Sequence, residues 1–423
     1  MGTYRNYIER IEEENKMNNN KKWLILAVSI VINLCIGFAY AWSVFSKPLQ
    51  MDFGWTPSQA SMAFTINLFV LPIAMIFAGP LVKRFGVRVV VLLGGVLFGL
   101  GLYLSGMITT VYQIYITYGL IAGSGIGLIY SITVSNTVKW FPEHKGLAGG
   151  LTAGGFGAGS LIFAPVAVQF IAAQGVLGAF QTLGLIFAGV ILVLGIFIAA
   201  PPVPVTDNKA TAAAISQSSG DVATRDMLKT PDFYVIWGLM VLGCISGLMI
   251  ISQASPIGQV MVGLSPEQAA FAVGFIGLAN ATGRVVWGTV SDKIGRYNTL
   301  MCMFALSGAG LVALYFTKDL PLFMVGICLI AASYGGVFGL FPSITADNFG
   351  IKHLSMNYGV VMTGLSIGAF IGPQIAAYAV EQSGGSYNLA FIITLGINIA
   401  AIILVLFAKR MNAKHKMTLA TEN

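Results

Sequence analysis

The chain has 423 residues, of which 56% are hydrophobic and only 9% are charged, with a formal net charge of +7. A soluble domain carries roughly 25% charged residues, so this composition indicates a membrane protein whose surface is covered by lipid. The basic residues form short clusters between apolar runs, and this distribution argues against nucleic-acid binding.

Twelve apolar segments follow one another along the chain, each close to the length of about 20 residues that a membrane-spanning helix needs. Only helices and closed barrels satisfy the backbone in lipid, and runs this long exclude barrel strands. The sequence therefore predicts an all-α membrane protein. The predicted spans are Trp23–Ser46, Ala60–Val82, Val89–Ile108, Tyr112–Val138, Leu147–Ala172, Val176–Ala199, Phe233–Ser255, Glu267–Val290, Tyr297–Phe316, Leu320–Ala346, Ser355–Val380 and Tyr387–Ala408.

The lysines and arginines predict the orientation of these spans. Alternate connections place twenty of the 23 basic residues on one side, and only Lys47 and Lys318 on the other. By the positive-inside rule, both termini are predicted to lie in the cytoplasm, with the protein in the inner membrane. The remaining cation, Arg284, lies within the eighth span.

The longest connection, Pro201–Asp232, opens with Pro-Pro-Val-Pro and resembles a linker in composition. It divides the spans into two sets of six, which in transporters usually bind substrate between them near the midplane. The predicted units are a cytoplasmic tail (1–22), an N-terminal six-helix bundle (23–200), a linker (201–232), a C-terminal six-helix bundle (233–408) and a second tail (409–423).

Neither a metal site nor a cofactor is predicted. The four cysteines stand alone in apolar runs, and the three histidines fall in polar connections. Glycine-rich runs at Gly119–Gly127, Gly150–Gly154 and Gly364–Gly372 favour tight helix crossings, which could act as rocking surfaces between moving helices. They lack the strand and the lysine of a phosphate-binding loop.

A short pattern of glycine and basic residues recurs in both halves. It runs from Gly79 to Arg88 after the second span and from Gly288 to Arg296 after the eighth. These segments resemble the signature loop of the major facilitator superfamily, which holds one conformation through charge contacts. The resemblance implies two pseudo-symmetric six-helix bundles and gating roles for Gly288, Asp292, Arg296, Gly79, Arg84 and Arg88. Lys83 stands where the N-terminal loop usually has an acid.

Three further segments are similar to the oxalate/formate antiporter and monocarboxylate transporter branch of that superfamily. They are Gly37–Phe45, Lys139–Gly150 and Asn280–Gly288. The branch carries small organic anions, and its eighth-helix arginine engages the substrate carboxylate. The resemblance therefore implies that Arg284 binds a carboxylate.

The chemistry of Arg284 agrees with this role. An arginine at a helix centre costs about 2.5–3.5 kcal/mol to insert, it cannot lose its proton, and no other unambiguous charge lies within a span. Its counter-ion is then the cargo, because a guanidinium binds a carboxylate through two parallel hydrogen bonds. Alternatively, Arg284 reaches the cytoplasmic surface or pairs with Asp292 or Asp347.

Other polar and aromatic residues complete the predicted site. Asn280 lies one helical turn before Arg284 and either hydrogen-bonds the anion or joins two helices. Aromatic edges and tyrosine hydroxyls can surround a carboxylate, although such residues are more often packing residues. The further substrate-binding candidates are Trp42, Tyr118, Tyr130, Tyr334 and Gln253.

The substrate class follows from the charge count. The oxalate transporters that the chain resembles have a lysine in the eleventh helix, which binds the second carboxylate. The eleventh span here has no lysine, so a monocarboxylate such as lactate, pyruvate or formate is favoured over the dicarboxylate of an oxalate:formate antiporter. Asn280 replaces the aspartate of proton-coupled relatives, which favours anion exchange or facilitated transport and leaves proton symport open. We therefore predict a monomeric secondary transporter and not an enzyme; an anion sensor is the alternative of another class.

Overall fold

The computed structural model describes residues 20–202 and 221–421, and within these ranges it contains helices and no strand. Nine of the described helices are long and apolar enough to cross a membrane, by length and composition. Two of the nine, Met62–Ser105 and Lys145–Gly195, contain 44 and 51 residues, which exceeds what one span of a bilayer requires.

Each of these long helices is broken by one glycine with a positive φ angle. Gly86 (φ 81°) and Gly175 (φ 75°) adopt a backbone conformation that other residues rarely reach. With Pro266–Ile294 included, the described residues form twelve segments. They are α1 (Asn20–Ala41, continued by Trp42–Phe53), α2 (57–85), α3 (87–105), α4 (Val111–Trp140), α5 (145–174), α6 (176–195), α7 (Pro231–Val262), α8 (Pro266–Ile294), α9 (Arg296–Phe316), α10 (Leu320–Phe349), α11 (Leu354–Gln382) and α12 (Asn388–Thr421). The expected all-α membrane class is confirmed.

Several helices extend beyond the predicted apolar runs. The helix α12 continues to Thr421, through most of the predicted C-terminal tail, and α7 continues to Val262. An apolar run marks the part of a helix that lipid covers, whereas caps determine where a helix ends. Residues 1–19 of the predicted N-terminal tail and residues 203–220 of the predicted linker lie outside the described residues.

A repeated turn, which the sequence reasoning missed, precedes α2 and α8. Gly54 and Gly263 end the preceding helices in the left-handed conformation. Thr56 and Ser265 then cap the next helices, each followed by proline and by a glutamine that completes a capping box. The shared pattern, Gly-x-(Ser/Thr)-Pro-x-Gln, occurs at the same place in each half and supports their pseudo-symmetry.

Two sides of the helical assembly can be distinguished by their connections. We call the side with the α2–α3, α4–α5, α8–α9 and α10–α11 turns the linker face, and the other side the opposite face. Contacts between the two halves gather towards the linker face, where α5 crosses α8 at Gly146 and Gly288 and α2 crosses α11 at Gly79 and Met356. The linker face is thus the closed end of this structure.

The glycine-rich runs pack helices tightly, but two of the three runs do so within one half. Gly119 and Gly123 bring α4 against α2, and Gly364 and Gly368 bring α11 against α7. Only the α5 run, through Gly150, contacts a helix of the other half, namely α8. Of the three predicted rocking surfaces, this one therefore has the required position.

Candidate substrate site

Arg284 lies in α8 with its side chain fully buried, at 0% exposure. Its Nη1 donates to the carbonyl of Ala153 in α5 (2.9 Å), and its Nε donates to the Asn280 Oδ1 (3.1 Å). The third nitrogen, Nη2, finds no acceptor among the described residues. A guanidinium has five N–H donors, so the N–H groups of Nη2 remain available for a ligand.

No acidic side chain of the described residues forms a salt bridge with Arg284. The alternative partners, Asp292 and Asp347, are bound instead by Arg296 and Lys145. Within the part of the chain that the structure describes, the positive charge is therefore held in the interior without a compensating negative charge.

Aromatic rings surround this charge in place of an acid. The Arg284 Cζ lies 4.6 Å from the ring centroid of Phe338 in α10, 5.6 Å from that of Phe156 in α5 and 5.9 Å from that of Tyr40 in α1. Cation–π contacts contribute about 0.5–2 kcal/mol each, more when the charge is desolvated. They offset part of the cost of burial without using the N–H groups of Nη2, which stay unsatisfied.

Glycines on both neighbouring helices allow α8 to place Arg284 here. A Cβ on Gly339 of α10 would collide with the carbonyl of Arg284, and a Cβ on Gly157 of α5 would lie 3.0 Å from its Nε. Without side chains at these positions, α8 fits between α5 of one half and α10 of the other. Arg284 thus stands at the interface of the two halves.

Asn280 supports the arginine. Its Oδ1 accepts the bond from Arg284 Nε, and its Nδ2 points to the carbonyl of Ala331 in α10 at 3.5 Å. Because both ends of the amide face protein groups, the geometry is that of a residue that orients Arg284 and joins α8 to α10.

Two of the predicted tyrosines are brought close to Arg284. Tyr130 of α4 and Tyr334 of α10 are buried, and each packs against a ring that contacts the guanidinium. The Tyr130 ring lies 5.3 Å from that of Phe156, and the Tyr334 ring lies 5.2 Å from that of Phe338. The structure adds Tyr40 and Tyr358, which the sequence reasoning did not select. Tyr358 of α11 is fully buried beside Tyr130, with ring centroids 6.5 Å apart.

The structure places three other predicted site residues in different surroundings. Trp42 packs on Tyr118 at a centroid distance of 4.3 Å, and the Tyr118 hydroxyl donates to the carbonyl of Ala39, so this pair belongs to the packing of the N-terminal half. Gln253 accepts a hydrogen bond from the Tyr387 hydroxyl (3.3 Å) within the C-terminal half. None of these contacts involves Arg284.

The local helix geometry explains why Tyr40 was missed. Residues Gly37–Ala41 form a 3₁₀ helix, with 3.0 residues per turn in place of 3.6. A helical face assigned by α-helical spacing therefore fails in this turn. Phe156 had a usable signal, because it is the one large side chain within the run Gly154–Gly157.

The predicted gating residues of the C-terminal half form a compact network at the linker face. Asp292 accepts the amide hydrogens of Gly146 (3.0 Å) and Leu147 (2.9 Å) at the start of α5, and it pairs with Arg296 (2.6 Å). An acid at a helix N-terminus also interacts favourably with the helix dipole. Arg296 reaches Asp347 (2.9 Å), which pairs with Lys145 of the other half (2.6 Å).

The corresponding residues of the N-terminal half make fewer contacts. Arg84 lies over the ring of Phe85 (5.2 Å), and Arg88 donates a long bond of 3.5 Å to the carbonyl of Ile198. Gly79 contributes a close approach of α2 to Met356 of α11. Lys83 stands where the network of the other half has Asp292, so the repeat lacks the acid around which that network forms.

The described end of the linker is fastened to the C-terminal half by a segment that we call the strap, residues 221–227. The amide of Val222 donates to the carbonyl of Phe349 (3.0 Å). Asn357 of α11 donates to the carbonyl of Val222 (3.0 Å) and accepts from the Thr224 hydroxyl (2.6 Å). The sequence analysis predicted a linker here and did not predict these contacts, because short polar stretches give no periodic signal.

Comparison with known proteins defines the family. The family model described as Major Facilitator Superfamily matches residues 28–261 and 260–422. The chain is 32% identical over 349 residues to the uncharacterized MFS-type transporter YhjX of Escherichia coli, covering 82% of this chain and 86% of that protein. The chain belongs to the major facilitator superfamily and is a multi-pass membrane transporter.

Two further relatives correspond to the branch expected from the sequence. The chain is 30% identical to the oxalate:formate antiporter of Oxalobacter formigenes, covering 91% of each protein. It is 27% identical to monocarboxylate transporter 12-B of Danio rerio, covering 91% of this chain and 86% of that protein.

Solved structures show the same fold at low sequence identity. The proton:xylose symporter XylE superposes with a TM-score of 0.73 at 16% identity, covering 92% of this chain and 96% of XylE. FucP in its outward conformation gives a TM-score of 0.70 at 15% identity, covering 92% of this chain and 99% of FucP.

Proposed function

We propose that this transporter carries a small monocarboxylate anion by alternating access, and that Arg284 binds the carboxylate between the two halves. The observation that carries the proposal is a fully buried guanidinium with an unpartnered nitrogen and no acid among the described residues. A bidentate carboxylate would satisfy the available edge of the fork and neutralise the charge.

A monocarboxylate is favoured over a dicarboxylate by charge balance. Arg284 supplies one positive charge, and the aromatic and phenolic groups around it are neutral. A second carboxylate in this site would be buried without a counter-ion, which costs several kcal/mol. The similarity to an oxalate:formate antiporter keeps oxalate as the second candidate, to be decided by assay.

The surroundings of Arg284 also bear on coupling. The side chains that the structure places around it are Asn280, aromatic rings and tyrosines, none of which titrates as a carboxylate or imidazole does near neutral pH. Anion exchange or facilitated transport therefore fits better than proton symport. We place the protein in the inner membrane as a monomer, with both termini in the cytoplasm.

Counterflow in proteoliposomes tests the proposal directly. Vesicles loaded with one unlabelled anion are given labelled lactate, pyruvate, formate or oxalate outside. We expect exchange of monocarboxylates by the wild type and a loss of about thirtyfold or more in Arg284→Ala and Arg284→Lys, because truncating one partner of a buried charge pair costs about 2–5 kcal/mol and lysine lacks the planar fork.

A control variant separates the loss of the Arg284 charge from the effect of removing any arginine of the protein. Arg410→Ala removes an exposed arginine in the last part of α12, and it should retain exchange. Full activity of Arg284→Ala, or a strong preference for oxalate in the wild type, would contradict the proposal. Binding without any counterflow would instead support the sensor alternative.

A further inference from the structure

The two contacts between the halves at the linker face differ in their charges. Where α5 crosses α8, Asp292 accepts two amide hydrogens of the other half and pairs with Arg296. Where α2 crosses α11, at Gly79 and Met356, the repeated loop has Lys83 in place of the acid. The second contact therefore lacks an acid from its own loop.

Basic groups gather at this second contact around His353, in the turn between α10 and α11. Burial lowers the pKa of the His353 imidazole, and the nearby charges of Lys83, Lys352 and Lys139 lower it further. Lys83 and Lys139 come from the N-terminal half, at the ends of α2 and α4, whereas Lys352 comes from the C-terminal half. Like charges that meet across an interface repel each other, so an acid is needed to balance them.

The strap places an acid at this point. The Asp221 Oδ1 accepts the amide hydrogen of Lys352 at 3.1 Å. The carboxylate also packs so closely on Gly350, which ends α10 with a φ angle of 76°, that a Cβ there would collide with it. The charge of Asp221 opposes the effect of the three lysines on the pKa of His353. Geometry and electrostatics thus put this acid among the basic groups.

The position of Asp221 corresponds to that of Asp292. Asp292 binds main-chain amides at the start of α5, the fifth helix of its half, and Asp221 binds one in the turn before α11, the fifth helix of the other half. Each acid lies beside basic groups of the linker face. They differ in origin, because Asp292 belongs to the repeated loop and Asp221 belongs to the strap.

We infer that Asp221 is a further gating residue, which supplies from the strap the acid that the N-terminal repeat lacks and so holds the α2–α11 side of the linker face closed. The strap is fastened to the C-terminal half through Val222 and Asn357, so the attraction of Asp221 for Lys83 and Lys139 joins the two halves. This role goes beyond the proposed function and depends neither on the cargo nor on Arg284.

Spin labels test the inference in the purified full-length protein without any anion added. Val89 in the first turn of α3 and Tyr234 in the first turn of α7 are exposed, one on each half, and can carry the labels once the exposed Cys302 is replaced. Asp221→Asn keeps the size of the side chain and removes its charge. It should raise the population with a longer label–label distance roughly fivefold, the upper range for a partly exposed ion pair.

Two further variants separate the charge of Asp221 from other effects. Asp226→Asn removes an exposed acid of the same strap, which pairs with Lys229, and it should leave the distances of the wild type unchanged. Lys83→Asp places an acid where the other repeat has Asp292. Combined with Asp221→Asn, it should restore the wild-type distances, whereas a purely structural role for Asp221 would not be rescued by a charge on another helix.

Each outcome bears on the inference alone. Unchanged distances in Asp221→Asn would overturn it, and so would an equal change in Asp226→Asn or a double variant that stays open. If Asp221→Asn is too unstable to purify, the double variant decides, because a stable and closed double variant supports the inference and its failure to fold contradicts it. Since no anion is added, the result is independent of the exchange assay that tests Arg284.

Discussion

Arg284 and Arg296 stand only twelve residues apart, yet the structure treats the two charges in opposite ways. Arg296, with 15% of its side chain exposed, pairs with Asp292 and Asp347 at 2.6 and 2.9 Å. Arg284 has no exposure and pairs with no acid of the described residues. The first charge is satisfied by the protein itself, which agrees with the predicted gating role of Arg296, whereas the second remains available for the anion that we propose as cargo.

The difference is also one of cost. Partly exposed ion pairs contribute about 0–1 kcal/mol each, so the linker-face network can break and re-form during a transport cycle. An unpaired arginine at membrane depth costs about 2.5–3.5 kcal/mol, which the protein only partly offsets with hydrogen bonds and aromatic rings. Under the proposed function, cargo binding would recover the remainder, and this recovery would favour the state in which the cargo is enclosed.

An acid placed beside Arg284 would make this arginine resemble the paired Arg296, and it should have the largest effect on monocarboxylate exchange. In Asn280→Asp, a carboxylate would replace the amide that accepts from Arg284 Nε at 3.1 Å. Two unit charges 4 Å apart attract with about 4 kcal/mol at an effective dielectric constant of 20, so the protein acid would compete with the cargo. Monocarboxylate exchange should fall at least tenfold at neutral pH.

The concentration of cargo supplies the control for this variant. Competition by the new aspartate would raise the monocarboxylate concentration needed for half-maximal exchange, whereas Asn280→Ala should raise it less. Counterflow measured over a series of lactate concentrations distinguishes the two variants. Equal behaviour of both at every concentration would argue against competition between the aspartate and the cargo.

Removing the acid from the linker-face network should have an intermediate effect. Asp292→Asn would weaken the bonds to two α5 amides and to Arg296. We expect the population with an open linker face to rise roughly tenfold, which corresponds to the net contribution of about one strong hydrogen bond, while anion binding at Arg284 persists.

Spin labels can measure this change in population. Labels at the exposed positions Glu143 and Lys293 lie on opposite halves of the closed face, and the exposed native Cys302 would be replaced first. A longer label–label distance in Asp292→Asn is the expected result. The control is Asp226→Asn, which removes an exposed acid of the strap that pairs with the neighbouring Lys229. Identical distance distributions in wild type and Asp292→Asn would contradict a holding role for Asp292.

Loosening the strap should have the smallest effect on transport. Thr224→Val removes the hydroxyl that donates to Asn357 (2.6 Å) and leaves a buried acceptor unpaired, at a local cost of about 1–3 kcal/mol. Hydrogen–deuterium exchange of the segment with the Val222 amide should accelerate about tenfold, with monocarboxylate exchange changed less than twofold. Lys229→Ala, an exposed neighbour, is the control, and unchanged deuterium uptake in Thr224→Val would show that the strap is held by other contacts.

Much of the fold could be predicted from the sequence. Hydropathy located the twelve long helical segments of the described residues because a spanning helix requires a long apolar run, and the repeats around Gly86 and Gly295 marked where helices break. Helix ends were less predictable, as at Val262, because the cap at Gly263 ends the helix beyond the lipid-covered run. The turns at Gly54 and Gly263 had a readable cap pattern that was not used.

The sequence by itself determined the membrane class, the family and the presence of one fixed cation inside a span, since these follow from composition, motif spacing and the permanent charge of arginine. Only the tertiary structure decided which side chains meet that cation. Lipid and protein interior are equally apolar, so an apolar helix carries no sign of which face is turned inward. For this reason Trp42, Tyr118 and Gln253 were as plausible in sequence as Tyr40, Phe156 and Tyr358, and only the rotation of each helix about its axis separated them.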